Sequence, residues 1–237
     1  MPAHLAGFLS VLQLSDSAFP SGRYTLSYGL ETLAQSGRLT MPSDPAVLTA
    51  LLRDYLRLAV GPSEGAGLAC AHRATSGPDT IDLELAVRAD QRLTAVKLSR
   101  EARETSARTG RALLRVATTA FGPGALGQYA REVTKKRTPG NHAVVLGVLS
   151  ACLGVPRLEA VAGELFAFAA SWIAAGVRLA VTDHGTAQAV LHNVRDDLDA
   201  AAHDAVDRDV PDISSCTPLL DIMAMQHEET ELRLFAS

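Results

Sequence analysis

The stretch Leu165-Phe166-Ala167-Phe168-Ala169-Ala170-Ser171-Trp172-Ile173-Ala174-Ala175-Gly176-Val177 decides the fold. It carries no charge, and Glu164 and Arg178 bound it. It lies within a longer helical segment, Leu158 to Thr182, that is apolar almost all round, and such a helix belongs at the centre of a bundle. About 20 residues are needed to cross a bilayer, so the uncharged run is too short to span one. The remaining chain must therefore supply helices to cover it.

Working outward, Thr186 to Val206 reads as one further helix, followed by a polar connection, Asp209 to Pro218, a short helix near Leu219 to Gln226 and a tail, His227 to Ser237. On the other side, Thr138-Pro139-Gly140-Asn141 starts a helix carrying Val144, Val145, Leu146, Val148 and Leu149, stopped by Gly154 and Pro156. Before it, Leu93 to Phe121 has helical periodicity in Leu98, Ala102, Thr105, Thr109, Leu113 and Val116, and Gly122-Pro123-Gly124 ends it. Asp44 followed by Pro45 is an N-cap with proline at the first helical position, opening a helix to Val60. Gly61-Pro62-Ser63 and Ser76-Gly77-Pro78-Asp79 read as breaks around short helices reaching Thr75 and Ala89. Leu5 to Leu14 and Thr25 to Gln35 complete the set. The expectation is an all-α bundle of about ten helices around a central apolar one, in one domain over residues 1–237, with little or no sheet. Only 5% of residues are aromatic and 47% are apolar, which suits that reading.

The net charge of −4 is small but unevenly placed. Residues 100 to 137 hold nine basic side chains against Glu101, Glu104 and Glu132, with Arg108, Arg111 and Arg115 as a stripe. Residues 195 to 212 hold seven Asp against Arg195 and Arg208. Such runs are commonly solvated helix faces. A nucleic-acid footprint would need a stronger basic excess and aromatics interleaved with the basic residues for base stacking, a pattern these runs do not show. Three cysteines, Cys70, Cys152 and Cys216, form no CxxC pair and suit a reducing cytoplasm. Residues 1 to 10 lack the charged and apolar regions of a secretory signal.

Catalytic motifs fail in turn. The best glycine cluster, Gly122 to Gly127, has no P-loop Lys and follows a helix; GxSxG and HExxH are absent. Cys70 with His72, and His184, His192 and His203, are of types that ligate nickel, but spacings of eight and eleven do not share a helix face. The expectation is no catalytic residue and no metal ligand.

Two stretches carry more than composition. The first runs from Leu12 to Glu31 and includes Ala18-Phe19-Pro20-Ser21-Gly22-Arg23-Tyr24-Thr25-Leu26-Ser27-Tyr28-Gly29-Leu30-Glu31. The second is Met225-Gln226-His227-Glu228-Glu229-Thr230-Glu231-Leu232-Arg233-Leu234-Phe235-Ala236-Ser237. They resemble the N-terminal and closing signatures of the urease accessory protein UreF family, and Asn141-His142-Ala143-Val144-Val145-Leu146-Gly147 looks like that family's His-containing helix start. Leu26 stands where the family commonly has an aromatic or His, and Ala143 where Pro is frequent.

The resemblance implies a non-enzymatic, all-helical protein, usually dimeric, that bridges UreD/UreH to the GTPase UreG. The complex acts on apo-urease, and nickel transfer and GTP hydrolysis are the work of UreG. It implies no nucleic-acid or membrane partner. Candidate partner-binding residues are Pro20, Gly22, Arg23, Tyr24, Ser27, Glu31, His142, Gln226, His227, Glu228, Arg233, Leu234 and Phe235. Pro20 and Gly22 shape a turn beside Tyr24, Glu31 reads as a solvated helix residue, and residues 227–237 form a partner-binding tail. Two other readings stand beside this one: a helical enzyme assembled from His142, His184 and Asp183, and a GTPase-activating or regulatory protein for UreG with Arg23 as its finger.

Overall fold

Apolar side chains at three- and four-residue steps bury themselves best as helices packed face to face, and the computed structural model, which describes residues 3–16, 19 and 27–227, is built that way. The helices are α1 (Ala3–Ser15), α2 (Leu30–Gln35), α3 (Pro45–Asp54), α4 (Ala66–Arg73), α5 (Leu83–Val96), α6 (Arg100–Phe121), α7 (Gly124–Thr134), α8 (His142–Cys152), α9 (Arg157–Arg178), α10 (His184–Asn193), α11 (Arg195–Asp207) and α12 (Pro218–His227). A π-helical segment, Tyr55–Gly65, joins α3 to α4 without a break, and a 3-10 turn, Val210–Asp212, follows α11. Among the described residues the only strand-like pairing is an isolated bridge between Thr75 and Ile81.

α9 is the central helix. Leu165, Ala169, Trp172 and Ala175 are fully buried, and α1, α2, α4, α8, α10, α11 and the π-segment pack around it. Phe166 is an exception at 49% exposure, so α9 has an outward edge. Among the described residues α9 is the one helix long and apolar enough to cross a membrane, yet 61% of its apolar window is buried inside the protein. α8 is buried along nearly its whole length between α4 and α6. Small residues permit that approach: a Cβ on Gly147 would stand 2.4 Å from the Leu68 carbonyl oxygen.

Several boundaries depart from the sequence reading. The periodic stretch from Leu93 is two helices, because Ser99 leaves the helical path and caps α6 by accepting from the Ala102 N–H. Residues 186 to 206 divide at Val194 into α10 and α11. α7, between the glycines at 122–124 and Thr138, is a helix that the turn residues around it concealed. The expected break at Gly61-Pro62-Ser63 does not occur. Pro62 has no N–H to give Leu58, the segment widens to π geometry around it, and the Leu58 carbonyl accepts the Cys216 N–H at 2.9 Å. The Pro62 carbonyl accepts from Ser214 at 3.0 Å, so the proline stitches residues 214–216 to the bundle.

Candidate functional site

α2 begins at a left-handed turn: Gly29 lies at φ 80°, where an L side chain is strained. The turn directs Ser27, Leu30 and Glu31 into the core, all fully buried. Tyr28 sets its ring edge-on to Phe168, with centroids 4.8 Å apart, and its carbonyl accepts the Tyr55 hydroxyl hydrogen. Burial pushes the Tyr55 hydroxyl well above its ordinary pKa, keeping it a donor. Tyr55 in turn leans on Trp172 at 5.9 Å, so α2, the π-segment and α9 meet through aromatic rings.

Beside these rings opens a cleft of about 180 Å³. Tyr28 and Gly29 line one side, Ser63 and Glu64 of the π-segment another, and Thr105 and Thr109 of α6, Glu164 of α9, and Thr217 and Asp221 close the rest. Lys97, with only 9% of its side chain exposed, donates to Glu64 at 2.6 Å across the rim. His142 Nδ1 lies 3.9 Å from Glu164 Oε1, both buried. Burial raises the Asp221 carboxyl pKa. Because α12 packs on α2 and α6, the elements adjoining the two terminal signatures share this wall.

His142 is held in place from behind. Asp90 of α5 is fully buried, and its carboxylate accepts from the Tyr129 hydroxyl at 2.7 Å, the Thr138 hydroxyl at 2.5 Å, the Gly140 N–H at 2.7 Å, the Asn141 N–H at 2.9 Å and the Asn141 side-chain amide at 2.6 Å. Burial, then the Asp90 charge, lifts the Tyr129 hydroxyl well above its ordinary pKa. The loop entering α8 is thus pinned by one carboxylate, and Gly110 of α6 packs directly on it. Nothing local in the sequence announces this, since Asp90 and its loop partners are 48 to 51 residues apart.

The structure sorts the sequence-derived residues. His142 lies on the cleft. Ser27 and Glu31 do not present a surface: Glu31, expected to be solvated, is fully buried and accepts from the Gln35 side chain at 3.1 Å, because α2 packs against both α9 and α12. Pro20, Gly22, Arg23, Tyr24, Glu228, Arg233, Leu234 and Phe235 lie outside the described residues, as do the side chains of Gln226 and His227. The candidate ligands are engaged separately. Cys70 contacts the Arg208 carbonyl and Arg73, His72 Nε2 faces the Val155 carbonyl at 2.8 Å, and His203 Nδ1 faces the Asp199 carbonyl. Asp183 caps α10 by accepting from Gly185 and Thr186, and those bonds hold its carboxyl below the usual range.

The architecture is that of an all-helical bundle with a cleft lined by α6, α9, the π-segment and the residues at the starts of α2 and α12. The UreF family model matches residues 43–195. Urease accessory protein UreF of Trichodesmium erythraeum strain IMS101 is 33% identical over 229 residues, covering 97% of this chain and 96% of that protein. The protein of the same name from Arthrobacter sp. strain FB24 is 30% identical over 230 residues, covering 97% and 96%. That of Yersinia pseudotuberculosis serotype IB is 26% identical over 229 residues, covering 97% of each. This chain belongs to the UreF family.

Proposed function

We propose that the chain is a non-catalytic urease accessory protein that bridges UreD/UreH and the GTPase UreG in the complex that inserts nickel into apo-urease. The observation that carries this reading is the end-to-end match, over 97% of the chain, to a protein named urease accessory protein UreF. In this reading nickel and GTP are handled through UreG, and the chain works in the cytoplasm as a homodimer without nucleic-acid or membrane contact. The separate engagement of Cys70, His72 and His203 by protein carbonyls supports leaving the metal to the complex. The cleft lined by Tyr28, Gly29, Thr217 and Asp221 supports looking for partner contacts in the two terminal signatures, in which Pro20 to Tyr24 and Gln226 to Phe235 are the candidates.

The test is reconstitution. Co-purification with UreD/UreH and UreG is expected with the full chain, and urease activation should require it. Removing Leu232 to Ser237 should weaken capture of at least one partner. Unchanged capture of both would take the tail out of the proposal, and activation without the chain would overturn the role.

A further inference from the structure

α6 has two faces of opposite character. Ala102, Thr105, Ser106 and Thr109 look into the cleft, while Arg108, Arg111 and Arg115 are exposed on the far side. From residue 105 to its end α6 carries no carboxylate. Among the described residues, none of these three arginines makes an ion pair. Arg111 donates to the Pro139 carbonyl at 3.3 Å, which sets the ridge beside the end of α7. There Lys135 and Arg137 both pair with Glu132, at 3.2 and 2.8 Å, yet stay 60% and 66% exposed because Glu132 is buried beneath them. Lys136, between them, is exposed with φ 58°.

Like charges three and four residues apart on a helix repel, so an unpaired arginine row costs the helix stability that a partner's opposite charge would return. This ridge is also rigid. Gly110 sits one position from Arg111, and a Cβ there would stand 2.0 Å from the Gly140 carbonyl oxygen, in the loop that Asp90 clamps.

We propose that the Arg108, Arg111, Arg115 and Lys135–Arg137 ridge is an electrostatic docking surface for an acidic patch on a protein partner. It rests on the accessory-complex reading, in which that partner is a member of the assembly. Nucleic acid fits less well, since no aromatic lies among residues 108–115 or 135–137 for stacking, and Phe121 stands at the far end of α6. The acidic face of a second copy is already partly occupied: Arg53 holds Asp197, Arg208 holds Asp204 and Arg73 holds Asp209.

The test compares the full chain with Arg108→Glu/Arg111→Glu/Arg115→Glu and with the milder triple change to Gln. Association rates are measured against UreD/UreH, UreG and apo-urease separately, at about 20 and 500 mM NaCl. The reversal should slow association with one partner by about tenfold or more at low salt, the Gln set by less, and the gap should close at high salt. Unaltered rates with every partner that the wild type binds would overturn the proposal, as would an effect confined to self-association. If the wild type binds none of the three, the accessory reading fails. The ridge is then decided with poly-L-glutamate: salt-sensitive binding lost on reversal supports it, and undiminished binding overturns it.

Discussion

Asp90 is buried and has no ion-pair partner among the described residues, and it is stable there because five donors from Tyr129, Thr138, Gly140 and Asn141 surround it. Hydrogen bonds to a charged acceptor are worth more than neutral ones, and removing the acceptor strands its donors in the core. Asp90→Ala should therefore cost about 3 kcal/mol or more in urea unfolding; a loss under about 1 kcal/mol would mean the donors find other partners. His72 makes a pH-dependent contribution. Burial is the main reason its pKa lies below the ordinary value of 6.5, so the fold prefers the neutral ring facing the Val155 carbonyl. Its stability is fully present above pH 6.5 and is lost as pH falls through the lowered folded value. The melting temperature should drop between pH 7.5 and 5.5, and less so in His72→Gln; equal drops would assign the effect to other groups.

At the scale of elements, Pro62 shows how a residue that normally ends a helix can be absorbed. Pro62 withholds the N–H that an α-helix would give the Leu58 carbonyl, Cys216 donates to it instead, and the chain gains an anchor for the segment that brings Thr217 to the cleft. Pro62→Ala restores an N–H that competes for that carbonyl, so the Ser214 and Cys216 amides should exchange hydrogen faster by mass spectrometry while α9 amides do not change. Gly110→Ala is a harsher test of α6 on α8, because its methyl would run into backbone rather than a flexible side chain. The expected loss is about 3 kcal/mol, the upper end for overpacking. The same elements mark what the sequence could tell. α9 and α3 were legible because apolar periodicity and the Asp44-Pro45 cap are local signals, and the Asp44 side chain does accept the Ala46 N–H. The Asp90 clamp and the Lys97–Glu64 pair were not, since their partners lie 33 to 51 residues apart. Glu31 reads in sequence as a solvated helix residue and is fully buried, because a six-residue helix gives no periodicity from which to tell its inner face.

For the whole molecule, the decisive feature is that one continuous core of buried side chains runs from Leu30 in α2 to Met223 in α12, with α9 touching most of it. A chain of 237 residues has room for two separately unfolding units, and a shared central helix argues against them. Trp172, the only tryptophan, is fully buried in α9, whereas Asp90 sits in α5, which does not pack closely on α9. If the core is one cooperative unit, tryptophan fluorescence and far-ultraviolet circular dichroism should give coincident urea transitions. A milder change at the clamp, Asp90→Asn, should then move both midpoints downward together. Were α5 to α8 to unfold on their own, the substitution would shift part of the dichroism change and leave the Trp172 transition in place. Coincidence in the variant is the stronger observation, because it requires damage in α5 to reach α9 through α4, α8 and the π-segment, which pack on both, and that coupling is what a bundle built around a shared helix must have.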